Sequence, residues 1–351
     1  MTRLRCVHLN DDFAMGGVVK ALGIFDHPQL AGMVESRVQP VTPGWRLAPR
    51  LDADVIVTHF PPSWRALPFL ASLRVRNPSA HLVHIEHSYT GAWEALCVPS
   101  RRRFRQLLRL SYRFFNDIVA VSQGQRDWLL GAGLVQPRRL HVLHPWSGAQ
   151  NLDRVPLPDF MPNRPLRVGA LGRFAWAKGF DVLIDAFASL DPGQFELRLG
   201  GMGPLESELR ERAAKLEHVR FVGKVDDVAA FMAQCDVVVV PSRWEAFGQV
   251  AAEARMAGRP VIVADVDGLP EQVGRAGLVA DCNTPETLVE AIRRLTRCDL
   301  PGMARAARAS MANAETERAF AWRTLFQRIT KTRAKAPRRG IGSEGNASNP
   351  V

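Results

Sequence analysis

The sequence predicts an α/β protein built from two doubly wound, Rossmann-like domains facing each other across a cleft. Short apolar runs alternate with helix-compatible segments along the whole chain, which is the pattern of parallel sheets. At 351 residues the chain is long enough for about two domains, each burying its own core. Between the halves stands Pro156-Leu-Pro-Asp-Phe-Met-Pro-Asn-Arg-Pro165, whose four prolines in ten residues read as a linker.

In the first half the expected strands are 4–10, 54–59, 81–87, 117–122 and 140–144; in the second they are 166–171, 196–199, 219–222, 236–240 and 260–263. This gives a first domain over 1–155, a linker over 156–165 and a second domain over 166–312. An amphipathic helix over 313–330, carrying Phe320, Trp322, Leu325, Phe326 and Ile329, is expected to cross back to the first domain. Residues 331–351 are basic, then rich in Gly, Ser and Asn, and read as a disordered tail. Ligands of such sheets bind beyond the carboxyl ends of the strands, so the cleft is the expected site.

Apolar content of 46% and charged content of 23% are those of a soluble globular chain. No apolar run approaches the roughly 20 residues that span a bilayer, and the first residues read as a strand rather than a signal peptide. Five scattered cysteines, with no C-x-x-C, argue for a reducing, cytoplasmic compartment without disulfides or a zinc site. The net charge of +11, carried mostly by arginine, implies an anionic partner. No DNA or RNA recognition motif accompanies it, so nucleic acid is not expected.

The most informative motif is Pro241-Ser-Arg-Trp-Glu-Ala-Phe-Gly-Gln-Val-Ala-Ala-Glu253, at the end of an apolar strand. It sets Glu245 at a helix mouth and Glu253 eight positions on. Eight helical residues would span about 12 Å, the reach from a sugar to the ribose of its nucleotide. The N–H groups of Phe247, Gly248 and Gln249 would face an anion there. A solvated Glu pair at an ordinary helix start is the plain alternative. Strand 166–171 ends in Gly172-Arg173, with Lys178-Gly179 at the mouth of the next helix, where two cations could hold a diphosphate. Alone, this pattern is usually surface charge. Gly200-Gly-Met-Gly-Pro204 lacks the order of a dinucleotide site.

Together and in order, these pieces resemble the family 4 retaining glycosyltransferases of GT-B fold. The matching residues are Gly172-Arg173…Lys178-Gly179, Gly200-Gly-Met-Gly-Pro204, Phe221-Val-Gly-Lys224, Asp236-Val-Val-Val-Val-Pro-Ser242, Glu245-Ala-Phe-Gly…Glu253-Ala, Gly258-Arg-Pro-Val and Gly268-Leu-Pro-Glu271. The likeness is dense over about 165–294 and loose before it. It implies that Arg173 and Lys178 bind the donor diphosphate, that Glu253 accepts from the ribose, and that Glu245 holds sugar hydroxyls beside the amides of Phe247 and Gly248. Lys224 and Val225 would lie near the base, with Gly201 lining the same pocket. Gly16-Gly17 match a glycine pair whose backbone faces the diphosphate or acceptor. The resemblance implies a hexosyl transfer without metal or cofactor, from a UDP- or GDP-type sugar to a saccharide or polyprenyl-linked acceptor. Its setting would be exopolysaccharide or lipopolysaccharide assembly.

His87 falls at the end of the third expected strand, where the family often carries a functional histidine; it either touches donor or acceptor or packs. Strand alternation sets His84 opposite His81 and His87, so the three cannot share one ion. Two departures stand out: His144-Pro-Trp-Ser-Gly148 replaces the family's Pro-Asn-Gly-Val-Asp, and Asp265-Val-Asp267 resembles a metal motif but suits a loop of this fold. The stretch 101–115 carries six arginines and no acid, with leucines on one side. Arg101, Arg102, Arg103 and Arg105 would meet an anionic membrane at its inner face, while the leucines of a crossover helix pack on the sheet; both hold together. The alternatives are a soluble transferase acting on a sugar phosphate, or a non-catalytic basic binding protein, against which the intact Arg173, Lys178, Glu245 and Glu253 argue.

Overall fold

The computed structural model describes residues 3–11, 21–42, 45–148 and 150–335. Its first half is a six-stranded parallel sheet of β1 (Leu4–Asn10), β2 (Val34–Pro40), β3 (Val55–Thr58), β4 (His81–Glu86), β5 (Asp117–Ala120) and β6 (Leu140–Val142), in the order β2-β1-β3-β4-β5-β6. The second half repeats the scheme with β7 (Leu166–Leu171), β8 (Phe195–Gly200), β9 (Val219–Gly223), β10 (Val237–Val240), β11 (Val261–Ala264) and β12 (Gly277–Ala280), in the order β12-β11-β10-β7-β8-β9. The inner strands β3, β4, β5, β10 and β11 are buried along their whole length. Helices on both faces of a parallel sheet require that, and it is why these strands read as continuous apolar runs.

Two strands escaped the sequence reading, and both are edges. β2 reads Val-Glu-Ser-Arg-Val-Gln-Pro and exposes most of its side chains, so it carries no apolar run. β12 is short, begins on a glycine and is only partly covered. An edge strand gains hydrogen bonds from one neighbour and needs apolar side chains on one face at most.

Buried carboxylates tie down the feet of the sheets. Asp236, just before β10, takes both Arg164 and Arg167. Asp117, at the start of β5, accepts from His81 at 2.7 Å, from His141 at 3.1 Å and from Arg328. Burial pushes the Asp117 carboxyl up, but the bonds from His141, His81 and Arg328 outweigh it and hold it far below the ordinary carboxylate range.

Arg328 belongs to the last helix, Ala314–Lys335, which returns to the first half. Trp322 and Phe326 pack on Phe25 with ring centroids 4.9 and 6.2 Å away. The helix outruns the expected 313–330. Residues 331–335, expected to be disordered, are helical because Arg333 bonds Asp54 at 2.8 Å and the carbonyls of Asp54 and Ser79. The rest of the expected tail, 336–351, lies outside the described residues.

Asp117→Asn is expected to lower stability by about 2–4 kcal/mol at neutral pH, since it breaks a buried, charge-assisted network. The folded carboxyl is depressed, so its contribution is complete above the unfolded value of about 4 and is lost as pH falls. Urea titrations should show the gap between wild type and variant beginning to narrow as pH falls below about 4; a pH-independent gap would assign the loss to packing instead.

Candidate functional site

The carboxyl ends of the two sheets face each other, and the loops there carry nearly every residue singled out above. After β7, Gly172 leads to Arg173 and then to a short 3-10 turn, Trp176–Lys178. After β10, Pro241 and Ser242 end the strand and the loop runs to the helix Gln249–Met256. Arg243 clamps the two together. Its guanidinium grips Asp181 at 2.6 and 2.9 Å, bonds the Trp176 carbonyl and lies 4.8 Å from the centre of the Trp176 ring. Burial raises the Asp181 carboxyl, and the Arg243 bonds overcome this and hold it low.

The clamp brings Lys178 onto Glu245: the ammonium bonds Glu245 Oε2, with Ser242 Oγ at 3.4 Å from the same oxygen. The stem of Lys178 lies over Gly172, about where a Cβ there would make ordinary contact. Arg173 is exposed, and among the described residues no carboxylate pairs with it. Two expected phosphate cations and one sugar carboxylate are thus grouped at one strand mouth.

Glu253 is buried one turn into the helix Gln249–Met256. Glu245 lies in the loop, so only the second half of the eight-residue spacing is helical. The 12 Å helical rise is therefore corrected: the separation is set by a loop and about one turn of helix. Gly248 is the helix N-cap in a left-handed conformation, φ +92°, and a Cβ there would strike Leu269 Cδ2 at 2.4 Å. Phe247 is buried, with its ring 5.3 Å from that of His144. Gly201 packs on Gly172, whose carbonyl a Cβ would meet at 1.9 Å. Val225 packs against the core beside Gly200, and the exposed Lys224 pairs with Asp226. Gly16 and Gly17 lie outside the described residues.

Asp267 lies in a loop, as expected, and it joins the halves. It sits at φ +47° and accepts from the Ala92 amide at 3.0 Å and from the Glu245 amide at 3.1 Å. Burial pushes its carboxyl above the ordinary value, opposed by these bonds and by Thr90. Beside it Gly124 packs so closely that a Cβ would lie 1.9 Å from the Asp267 carbonyl oxygen. Glu271 accepts from the Gln123 amide at 2.7 Å and lies 3.0 Å from His144 Nε2.

His87 has a role that the sequence did not suggest. Glu86, buried at the end of β4, accepts from the amides of Ser88 and Tyr89 and from the Tyr112 hydroxyl, which shapes the turn that presents His87. His87 Nε2 lies 3.1 Å from His59 Nδ1, His59 Nε2 lies 2.9 Å from His8 Nδ1, and His8 Nε2 lies 3.4 Å from Cys6 Sγ. Burial lowers all three rings, His8 to about 3 and His87 to about 4, so the chain is neutral. His87 lines a water-sized cavity with His59, Trp146 and Trp322, and the structure does not bring it onto Lys178 or Glu245. His59 and His8 lie on strands already expected, but only the three-dimensional pairing β1·β3·β4 lines them up. His84 sits on the other face, bonded to Thr58 at 2.8 Å.

The basic stretch is the helix Arg101–Tyr112, with Phe104, Leu107 and Leu108 buried and Arg101, Arg102 and Arg103 exposed. Arg105 is a correction. Its guanidinium reaches inward to Glu94 with bonds of 2.6 and 2.8 Å, and Glu94 is buried, so this charge is not on the solvent stripe. Among the described residues no helix is long and apolar enough to cross a membrane.

The Glycosyltransferase Family 4 model matches residues 27–146, and the model for Glycosyl transferases group 1 matches residues 165–298. A phosphatidyl-myo-inositol mannosyltransferase of Mycobacterium leprae is 30% identical over 297 residues, covering 80% of this chain and 73% of that protein. An uncharacterised glycosyltransferase of Methanocaldococcus jannaschii is 41% identical over 131 residues, which span only 36% of each protein. The chain belongs to the family 4 glycosyltransferases. Its paired sheets are those of the GT-B fold: HepE of Anabaena, solved with UDP and glucose, superposes with a TM-score of 0.66 at 20% identity over 95% of this chain and 100% of that one.

Arg105→Ser should lower stability by about 1–3 kcal/mol, because it leaves the Glu94 charge buried with only Trp128 to bond it. Ser at Arg101, Arg102 or Arg103 should change it by less than about 0.5 kcal/mol. Equal losses at all four positions in denaturant titrations would contradict the assignment.

Proposed function

We propose that this chain transfers a sugar, with retention of configuration, from a nucleotide-diphosphate sugar to a saccharide or lipid-linked acceptor. The observation that carries the reading is the Lys178–Glu245 pair at the mouth of β7 and β10, beside the exposed Arg173. A diphosphate docking there competes with Glu245 for Lys178 and turns the Glu245 carboxylate toward sugar hydroxyls. As the glycosidic bond breaks, charge grows on the diphosphate, and two cations already placed stabilise it without a metal. Glu253, in the helix Gln249–Met256 that follows the Glu245 loop, accepts from the ribose; Gly201, Lys224 and Val225 border the base; the amides of Phe247 and Gly248 assist. Gly16 and Gly17 bring backbone to the diphosphate or acceptor. His87, held by His59, is the first half's hydrogen-bonding group for donor or acceptor.

A UDP- or GDP-type donor is supported by the UDP bound in HepE, and a lipid-linked acceptor by the phosphatidyl-myo-inositol named for the mycobacterial relative. Cell-surface polysaccharide assembly, at the cytoplasmic face of the membrane, is the setting this favours. Arg101, Arg102 and Arg103 would hold the protein there, each contributing about 1 kcal/mol near an anionic surface.

Glu253→Ala is expected to weaken donor binding by about 1–3 kcal/mol in calorimetric titration, the scale of lost hydrogen bonds to a charged group. Lys178→Ala should lower kcat more than it weakens nucleoside binding, and EDTA should leave the wild-type rate unchanged. A rate that collapses in chelator and recovers with manganese would overturn the metal-free assignment.

Replacing Arg101, Arg102 and Arg103 with Ser should release the protein from anionic vesicles at low salt and leave its melting temperature unchanged. If the wild type itself stays in the supernatant, the soluble reading, with a sugar-phosphate acceptor, takes precedence.

A further inference from the structure

Behind the loop that carries Glu245, on the hinge side, lies a cavity of about 250 Å³. Both halves and the returning helix line it: Gln123 and His144 from the first, Arg255 and Glu271 from the second, Ser310 and Arg318 from the C-terminal helices. Two guanidiniums face it. Arg255 donates to Gln272 Oε1 at 2.8 Å and to Ser310 Oγ at 2.8 and 3.2 Å, all neutral acceptors. Arg318 lies 5.3 Å from the Trp146 ring centre and 6.0 Å from that of Phe247, and its buried Nε has no hydrogen-bond partner. Among the described residues no carboxylate forms an ion pair with either arginine. Glu271 and Glu317 also line the cavity, but neither pairs with an arginine: Glu271 accepts from the Gln123 amide and lies beside His144, and Glu317 is exposed.

Two partly buried guanidiniums beside one hollow, neither bonded to a carboxylate, leave donors that an anion would satisfy. Burial lowers the Arg255 guanidinium, and burial and the Arg255 charge lower Arg318 to about 10 against the opposing pull of Glu317. Arginine forks match phosphate oxygens bidentately, and the stacked ring faces hold Arg318 in a fixed orientation. The volume falls below the roughly 300–1,000 Å³ of drug-sized pockets, which limits the occupant to a small anion.

We infer that this hinge cavity binds phosphate, as the free ion or as a small phosphate monoester, at a site separate from the nucleotide cleft. Because its walls come from both halves, an occupant favours the arrangement in which Asp267 and Glu271 reach across. The inference does not rest on the proposed transferase chemistry.

The test is calorimetric titration with inorganic phosphate and, in a second arm, with glycerol 1-phosphate. Phosphate should bind the wild type and the Arg173→Ala/Lys178→Ala double variant alike. Arg255→Gln and Arg318→Gln should each weaken it about tenfold or more, and Arg318→Lys, which keeps the charge but loses the fork, by less. Tighter binding of glycerol 1-phosphate assigns the site to a monoester; weaker binding assigns it to phosphate itself. Melting curves without ligand show whether each variant folds, and Arg318→Lys keeps the test decisive if a Gln variant does not. No binding by the wild type in either arm overturns the inference. So does binding that is lost with Arg173 and Lys178 but survives at Arg255 and Arg318, an outcome that leaves the nucleotide-cleft reading intact.

Discussion

Asp267 holds its carboxylate between two backbone amides, one from Ala92 in the first half and one from Glu245 in the second. That bridge does two things at once. It fixes the start of the loop that carries Glu245, Phe247 and Gly248, and it fixes how near the first sheet's loops come to it. The approach needs bare backbone on the other side, which Gly124 supplies where any side chain would overlap the Asp267 carbonyl. A carboxylate raised by burial yet satisfied by amides holds two loops with short, directional bonds. The Lys178 contact depends on it: without a fixed loop, Lys178 has no fixed place against Glu245.

The electrostatic design follows a simple division. At the feet of the sheets carboxylates are buried and fully paired, as at Asp117 and Asp236, and they hold architecture. At the carboxyl ends Arg243 clamps Asp181, while Arg173 is left exposed and Lys178 pairs only with a group that a ligand can displace. His8, His59 and His87 are neutral and bonded in a row, so they order the floor of the cleft without adding charge to it. A chain of net charge +11 thus keeps accessible positive charge for anions at the carboxyl ends of its sheets.

Much of this was legible in the sequence. Inner strands announce themselves because a doubly covered strand must be apolar throughout, and the Val237–Val240 run is the clearest case. Gly172, Arg173, Lys178, Glu245 and Glu253 were legible as a set because loops at strand ends draw on residues close in sequence. The edge strands β2 and β12 were not, since neither has an apolar run to show. Nor were Asp267, His59 or Arg105. Their partners lie 175, 28 and 11 positions away, and no local pattern distinguishes a carboxylate that accepts two amides from one in solvent. Gly16 and Gly17, although singled out, lie outside the described residues.

The central claim is that the loops after β7, β8 and β10 form a nucleotide-diphosphate sugar site that needs no metal. It is tested most directly by melting the wild-type protein in EDTA against a panel of UDP-, GDP- and ADP-sugars. A ligand that binds only the folded state stabilises it by about 2.7 kcal/mol at one hundred times its Kd. The account predicts that one base raises Tm clearly above the others, and that its free diphosphate does so more than its nucleoside. A panel in which no nucleotide moves Tm, or in which shifts appear only when a divalent metal is added, would contradict it.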